Sequence, residues 1–134
     1  AVIDYLQLVS APGYDSRVQE ITAISRSLKQ ISMELQIPVL ALSQLSRQCE
    51  INNRKPMLSD LRDSGSIEQD ADCVFLLSVD DKVDETKDRI NCHIAKNRGG
   101  ETDISCNLVF EKSIGTFSPE ARLHNEENAS DPPW

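Results

Sequence analysis

The stretch AVIDYLQLV at residues 1–9 decides the fold that we predict, because it has the pattern of a buried strand carrying one acidic residue. Its apolar residues form a nearly continuous run, which is typical of a parallel strand covered on both faces. Asp4 interrupts this run. An ionised carboxylate in such a place costs several kcal/mol unless it reaches the rim of the sheet, a partner or a cation.

Asp4 has two interpretations. Ligands of open α/β sheets bind at the carboxyl ends of the strands, where an aspartate can hold a Mg²⁺ ion that bridges nucleotide phosphates. An apolar strand followed by an aspartate is the loose form of a Walker B motif, although only three residues precede Asp4 here. The other interpretation is an aspartate that caps the next turn or pairs with an arginine. These residues alone leave both open.

The composition predicts one compact soluble domain. The chain has 134 residues, of which 39% are apolar and 27% charged. A formal charge of −8 argues against nucleic-acid binding through the whole surface, so any contact with a polyanion must be local. No apolar run approaches the roughly 20 residues that span a bilayer, and no signal-peptide pattern is present, so we expect a cytoplasmic location.

The cysteines do not form a metal-binding pattern. There are four, without a C-x-x-C pair: Cys49, Cys73, Cys92 and Cys106. Three of them lie in apolar, strand-like runs. This placement favours buried free thiols over disulfides or zinc ligands.

A helix is predicted after the first strand. Ser16 followed by Gln19 forms a capping box, in which hydroxyl and amide satisfy backbone donors at a helix start. The charged residues of this stretch mostly fall on another face, as a solvated face requires: Arg17, Glu20, Arg26 and Lys29. Apolar residues recur every three or four positions and share the opposite face: Val18, Ile21, Ile24, Leu28, Ile31 and Leu35. We therefore predict a helix that covers a sheet.

A second strand completes a βαβ unit. Pro38 ends the helix, and residues 39–42 form a short strand. A strand, a helix and a strand make a right-handed unit, which places Gln44 at the same rim as Asp4. The neutral amide of Gln44 can sense a terminal phosphate or close a loop. Local chemistry by itself favours the loop.

A basic segment follows at residues 45–58. It has no periodicity and contains Arg47, Arg54 and Lys55 against a single acid, Glu50. We predict a basic loop.

The polar run SDLRDSGSIEQDAD occupies residues 59–72. Ser59 or Asp60 can cap a short helical turn, Gly65 permits a backbone that other residues resist, and residues 66–71 form a second short helix. The run also offers a cation, hydroxyls and exposed amides, which suit a backbone phosphate: Arg62, Ser64, Gly65 and Ser66.

The second half of the chain predicts an antiparallel hairpin. Residues 73–77 form an apolar strand, and residues 80–88 form an exposed acidic loop. Residues 89–95 and 103–110 alternate in strand fashion around the basic tip KNRGG at residues 96–100. Two cations of this tip fall on the same side of an extended strand: Lys96 and Arg98.

The end of the chain changes character. A short strand near residues 115–117 closes the sheet. Residues 119–134 are polar and acidic, so we predict a disordered tail behind one domain at residues 1–118.

Four separated stretches resemble the C-terminal half of the RecA-like motor domain of the DnaB family of replicative DNA helicases. They are VIDYLQL at 2–8, VLALSQLSR at 39–47, SDLRDSGSIEQDAD at 59–72 and KNRGG at 96–100. The third is the most specific, because packing periodicity does not produce a run of mixed polar residues. The likeness covers residues 1–118.

The resemblance implies a fold and a function. The fold is α/β, the C-terminal half of a RecA-like P-loop NTPase core, with a mostly parallel sheet plus an antiparallel β-hairpin and without the Walker A half. The function is that of an ATP-dependent helicase, which uses ATP and Mg²⁺ and unwinds duplex DNA at the replication fork. Its implied form is a homo-hexameric ring that moves 5′ to 3′ on single-stranded DNA, with a helicase loader and a primase as partners.

The resemblance also implies roles at the nucleotide. Asp4 matches the Walker B carboxylate that orders Mg²⁺, usually through water. Gln44 matches the residue that links nucleotide state to the DNA-binding loops. Lys96 and Arg98 match hairpin-borne fingers that reach into the neighbouring subunit's ATP site.

DNA contacts are implied for two segments. Arg62, Asp63 and Gly65 match the loop that binds the single-strand backbone inside the ring. The basic loop before them matches another part of the channel, with Arg47, Arg54 and Lys55.

Some positions depart from the family pattern. Asp63 stands where many relatives have Glu, and Asp103 stands where glycine is common. No G-x-x-x-x-G-K-[ST] phosphate loop occurs in the 134 residues. We therefore predict that they are a fragment of a longer chain, or one product of a split gene, which does not hydrolyse ATP by itself and which exposes an apolar flank beside the first strand.

Two other functions remain possible from the sequence. One is another RecA-like ATPase such as a recombinase paralogue, which the run at residues 59–72 argues against. The other is a degenerate, non-catalytic partner that binds DNA or assembles with an intact helicase. A phosphate loop upstream of Ala1 would favour the enzyme.

Overall fold

A computed structural model describes residues 1–46, 48–52, 54–61 and 65–120 as a mixed α/β arrangement. The helices are α1 (Arg17–Leu35), α2 (Gln48–Ile51) and α3 (Gly65–Asp70). The strands are β1 (Val2–Ile3), β2 (Leu40–Ala41), β3 (Cys73–Lys82), β4 (Lys87–Asn97), β5 (Ile104–Glu111) and β6 (Thr116–Pro119). The predicted tail lies outside the described residues, apart from its first two positions.

The strands form two sheets. β1 and β2 pair in parallel, and the other four form an antiparallel sheet in the order β3–β4–β5–β6. The α/β class is confirmed, but the prediction of a mostly parallel sheet was wrong for the described residues. The antiparallel part is the larger one because β3 pairs with β4 in the antiparallel sense and does not join β1 and β2.

The predicted βαβ unit is present with a shorter first strand. The amide of Leu40 donates to the carbonyl of Ala1 and that of Leu42 to Ile3, both at 2.9 Å. After β1 the chain turns into a 3-10 helix at Leu6–Leu8 instead of continuing as a strand to residue 9. Leu6 is only 2% exposed and packs with buried residues of α1, so the apolar run supplies a core anchor as well as a strand.

α1 begins after Ser16 as predicted and packs against Ile3 of β1, with one of the two bonds of the predicted capping box present among the described residues. The hydroxyl of Ser16 accepts the amide of Gln19 at 3.3 Å. Ile21 and Ile24 are buried against Leu6, whereas the ends of the apolar stripe are exposed. The helix ends at Leu35, before Pro38, with Gln36 in the left-handed region at φ 54°.

Arg17 and Glu20 depart from the solvated face that we predicted, whereas Arg26 is exposed as expected. The guanidinium of Arg17 donates to the carbonyl of Gln7 at 2.8 Å and pairs with the carboxylate of Glu20. Glu20 also accepts the amide of Ala11 at 2.6 Å, and this bond, followed by the Arg17 contact, lowers the pKa of Glu20. The two residues thereby hold the loop after the first 3-10 turn.

The predicted basic loop contains regular structure. α2 occupies part of it, and a second 3-10 turn spans Leu58–Asp60. The prediction that Asp60 caps a short helical turn is confirmed, because its side chain is part of a capping box of this turn. Asp60 closes the turn, and its carboxylate accepts the amide of Met57 at 2.9 Å.

The antiparallel sheet confirms the hairpin and the short last strand. The predicted acidic loop at 80–88 is only a turn at 83–86, because β3 continues to Lys82 and β4 begins at Lys87. Opposite charges face each other across this extension, with Arg89 opposite Asp81 and Asp88 opposite Lys82.

The two sheets share a core but leave an open cleft. Val74 and Leu76 of β3 are buried with Leu61, and Ile67 of α3 contacts both this cluster and the one around Leu6. Alternate residues of β3 remain exposed. A cleft of about 1660 Å³ separates β2 from β3, and its walls carry exposed apolar side chains: Leu40, Leu42, Phe75, Leu77 and Val79.

Burial of the cysteines agrees only in part with the prediction. All four are free thiols. Cys49 is buried, and burial raises the pKa of the partly covered Cys92, but Cys73 and Cys106 are exposed because they lie on outward positions of their strands. Among the helices that the structure describes, none is long and apolar enough to cross a membrane.

Candidate nucleotide and DNA-binding sites

Because β1 and β2 pair in parallel, the polar residues that follow them lie at the same end of the sheet. Val2 is paired with Leu40 and Ile3 with Ala41, so Asp4 and the segment that carries Gln44 both follow the sheet at its carboxyl end. Asp4 and Gln44 are exposed. Within the described ranges no side chain donates a hydrogen bond to the Asp4 carboxylate, which leaves it open to a hydrated cation.

The chemistry of Asp4 fits Mg²⁺. This ion is usually bound by one or two carboxylates together with waters and phosphate oxygens rather than by a cage of protein ligands. Among the described residues there is no group of three or more metal-ligating side chains. A single exposed carboxylate at a strand end therefore suits Mg²⁺ that arrives with a nucleotide.

Gln7 joins the two strand ends, a contact that sequence reasoning missed. Its side-chain Nε2 donates to the hydroxyl of Ser43 at 3.1 Å, and its Oε1 accepts the backbone amide of Gln44 at 3.3 Å. One amide group thereby connects the segment after Asp4 to the segment before and at Gln44. The signal available in the sequence was a second polar residue within the apolar run of residues 1–9.

The cations of the basic segment make two kinds of contact, one with a buried carboxylate and one at the surface. Arg54 binds the carboxylate of Asp60 through both terminal nitrogens, at 2.6 and 2.7 Å. Lys55 lies 3.3 Å from Asp80 and stays mostly exposed. Of the residues predicted to bind DNA, three lie outside the described residues: Arg47, Arg62 and Asp63.

Gly65 does not have the special backbone that we predicted. It is the first residue of α3, its φ is outside the left-handed region, and a Cβ atom there would meet nothing within 4 Å. Nothing among the described residues requires glycine at this position.

The two cations of the hairpin tip contact the end of α3. The Nζ of Lys96 donates to the carbonyls of Glu68 at 2.5 Å and Gln69 at 3.3 Å. The Nη2 of Arg98 donates to the carbonyl of Gln69 at 2.9 Å, and its Nη1 to Asp72 at 2.9 Å. Both side chains reach Gln69, which confirms that they point to the same side. The Arg98 side chain remains 55% exposed.

The turn of the hairpin is organised by Asn97. Its Oδ1 accepts the amide of Gly99 at 3.2 Å, and its Nδ2 donates to the carbonyl of Glu101 at 3.3 Å. A Cβ on Gly100 would lie 2.8 Å from this Nδ2, so Gly100 allows the side chain to cross the turn. Asp103 has φ 60°, the left-handed region in which glycine is favoured.

A model of the DnaB-like helicase C terminal domain matches residues 1–119. The chain belongs to the DnaB-like helicase C-terminal domain family. This confirms the resemblance drawn from the four stretches. The match ends where the acidic tail begins.

Curated relatives support the DnaB-like assignment. The chain is 50% identical over 122 residues to the replicative DNA helicase DnaC of Bacillus subtilis (strain 168), covering 87% of this chain and 27% of the relative. It is 47% identical over 131 residues to the replicative DNA helicase DnaB of Geobacillus stearothermophilus, covering 93% and 29%.

A solved structure supports the DnaB-like fold. It is a DnaB-like replicative helicase studied for its interactions with primase, 44% identical, with a TM-score of 0.77 over 87% of this chain and 29% of that chain. The DnaB-like chain thus spans less than a third of the proteins that it resembles.

Proposed function

We propose that this chain is part of the motor domain of an ATP-dependent replicative DNA helicase. The whole enzyme is a homo-hexameric ring that moves 5′ to 3′ on single-stranded DNA and unwinds the duplex at the replication fork. The observation that carries this proposal is the edge shared by Asp4 and Gln44, in a chain that is 47 to 50% identical to replicative helicases.

Asp4 and Gln44 act at the nucleotide in this proposal. Asp4 is the residue that would hold Mg²⁺, through water, and the bound ion would supply positive charge beside the phosphates. The side-chain amide of Gln44 contacts the nucleotide near its terminal phosphate. The bridge through Gln7 supports this pairing, because it keeps the two segments at a constant separation.

Lys96 and Arg98 act on the ATP of the neighbouring subunit. A guanidinium has five N–H donors. Arg98 makes two side-chain hydrogen bonds to the described residues, and its side chain is more than half exposed, so donors remain for a phosphate. An arginine supplied in trans is worth on the order of 10³ to 10⁵ in rate in related phosphoryl transfer.

Single-stranded DNA is bound by the basic segment and by the residues at and before the start of α3. The residues concerned are Arg47, Arg54, Lys55, Arg62, Asp63 and Gly65. The net charge of −8 supports local contact rather than a basic surface, since six copies of a few cations around one strand concentrate positive potential. Arg62→Ala should weaken binding and reduce its salt dependence; a salt slope equal to wild type would contradict this role.

The cleft between β2 and β3 receives a strand from outside these 134 residues, in a RecA-like P-loop core. The amides of Leu40 and Leu42 bond to β1, so the backbone groups of Ala41 face the opposite side. β3 pairs with β4 along one edge, and along its other edge with no strand of the described chain. Two open edges that line one apolar cleft suit a strand leading to the missing phosphate loop.

Nucleotide binding tests the proposal that the phosphate loop lies outside these 134 residues. The 134 residues alone should bind ATP negligibly in equilibrium dialysis, and the longer polypeptide that contains them should bind it in the micromolar range. Micromolar binding by the 134 residues alone would contradict the proposal.

The activity is tested in that longer polypeptide. It should hydrolyse ATP faster with single-stranded DNA and unwind a forked duplex with a 5′ tail. Asp4→Asn should abolish both activities while the ring still assembles. A wild-type protein that binds DNA without hydrolysis would instead be a non-catalytic partner. A helicase loader and a primase are the protein partners that we propose, and the similar structure described with primase supports the second.

A further inference from the structure

Asp72 connects three elements of the fold. It follows α3 and precedes β3. Its Oδ2 accepts Nζ of Lys29, on α1, at 2.5 Å, and its Oδ1 accepts Nη1 of Arg98, at the hairpin tip, at 2.9 Å. Its carbonyl accepts the backbone amide of Arg98 at 2.8 Å. The hairpin tip is therefore bound to Asp72 through both backbone and side chain.

These contacts determine the direction of the Arg98 guanidinium. A planar group is oriented when two of its nitrogens bind separate acceptors, here Asp72 and the carbonyl of Gln69. Lys29 binds the other oxygen of Asp72 and so restricts rotation of the carboxylate. The hydrogen bond from Lys29 and the charges of Lys29 and Arg98 lower the pKa of Asp72, which keeps it ionised at neutral pH.

We infer that Asp72 is a positioning residue for Arg98, which directs the unused donors of the guanidinium toward the nucleotide of the neighbouring subunit. The inference rests on the proposed function. Asp72 itself does not touch the nucleotide. The Asp72 and Arg98 side chains are each about half exposed, and ion pairs of this kind add little to stability. The main effect of the contact is therefore on the rate of hydrolysis.

The first test compares variants of the full-length polypeptide. Asp72→Ala should lower kcat for ATP by on the order of tenfold to a hundredfold, as expected for a displaced catalytic group. KM for ATP should change little, because the residue acts in the neighbour's site during the reaction. Asp72→Asn keeps one acceptor oxygen and should lose less. Asp84→Asn, in the β3–β4 turn, is the matched control and should retain wild-type kcat.

The second test asks whether Asp72 acts in trans. Asp4→Asn rings should be inactive and Asp72→Ala rings should be slowed as above, and mixed rings should be more active than either variant alone. A competent site then combines Asp4 of one subunit with Asp72 and Arg98 of its neighbour. A structural defect confined to the Asp72→Ala subunit would disable its own Asp4 site, and mixing would restore nothing. That result would overturn the inference.

Arg98→Ala separates this inference from the proposed function. If Arg98→Ala retains wild-type ATPase, the trans finger itself is wrong and the proposed function fails at that point. If Arg98→Ala is inactive but Asp72→Ala retains wild-type kcat, only the positioning role is overturned. Ring size, measured for every variant, should match that of the wild type, and the thermal midpoint of Asp72→Ala should fall by no more than a few degrees, as expected for the loss of half-exposed ion pairs.

Discussion

Arg54 and Asp60 form a bidentate ion pair, with Nη1 to Oδ2 at 2.6 Å and Nη2 to Oδ1 at 2.7 Å. The side chain of Arg54 is a third exposed, whereas the whole residue Asp60 is 2% exposed. A nearly covered carboxylate depends on such a partner because it is cut off from water. Arg54 therefore has a structural task in addition to any contact with DNA.

Arg54→Ala should destabilise the domain more than Lys55→Ala. Loss of Arg54 leaves Asp60 with one amide donor from Met57, whereas Lys55 only loses a contact with Asp80 at the surface. The midpoint of thermal unfolding of the full-length polypeptide measures the difference. Equal midpoints for the two variants would show that the pair contributes nothing.

Leu6→Ala should cost about 2 to 5 kcal/mol of folding free energy, because a buried side chain is replaced by a cavity next to Ile21 and Ile24. Leu8→Ala is the matched control. Leu8 belongs to the same 3-10 turn but is 67% exposed, so its loss should stay within about 0.5 kcal/mol. Urea unfolding of both variants measures the difference, and similar losses would mean that Leu6 is not a core anchor.

Gln7→Ala should lower kcat for ATP by on the order of tenfold, since loss of the bridge lets Gln44 move relative to Asp4. Nucleotide binding, measured with a non-hydrolysable analogue, should stay near wild type. Gln30→Ala, on the exposed face of α1, controls for loss of an amide elsewhere. Unchanged kcat in Gln7→Ala would remove Gln7 from the site.

Stability should fall as the solution is acidified. Donor groups lower the pKa values of four carboxyls: Glu20, Asp60, Asp72 and Asp84. A carboxyl whose pKa is lower in the folded state stabilises the fold above its unfolded pKa, and this contribution is lost as pH falls through the folded pKa. Urea midpoints should therefore be steady near neutral pH and drop below about pH 4.

A variant tests whether these carboxyls cause the loss of folding stability at low pH. Asp60→Asn removes one of the four titrating groups, so its urea midpoint should be lower at neutral pH and less sensitive to acid than that of the wild type. A wild-type midpoint that does not change down to pH 3, about one unit below the usual pKa of an aspartate, would contradict the role of these carboxylates.

The elements predicted best were those with a local signal. The capping residues at Ser16 and the spacing of Ile21 and Ile24 predicted α1, and alternation predicted the hairpin. The predictions failed where a distant contact overrides the local pattern. The first strand is short because Leu6 packs on α1, and β3 is long because its charged end pairs across the ladder with Asp88 and Arg89.

The site shows the same division. Asp4, Gln44, Lys96 and Arg98 could be selected as candidate site residues from the sequence, since each stands at a strand end or a turn. Their neighbours could not. Gln7 bridges 36 residues to Ser43, and Asp72 bridges 26 residues to Arg98.

The sequence by itself determined the family, the βαβ unit, the basic hairpin tip and the absence of a phosphate loop from these 134 residues, because identity and periodicity are properties of neighbouring residues. Only the tertiary structure decided that Arg54 binds Asp60, that Asp72 and Gln69 hold Arg98, and that β2 and β3 face each other across an open cleft. Such contacts depend on how distant elements pack. No local pattern encodes that arrangement, because the same side chain can satisfy its hydrogen bonds with many different partners.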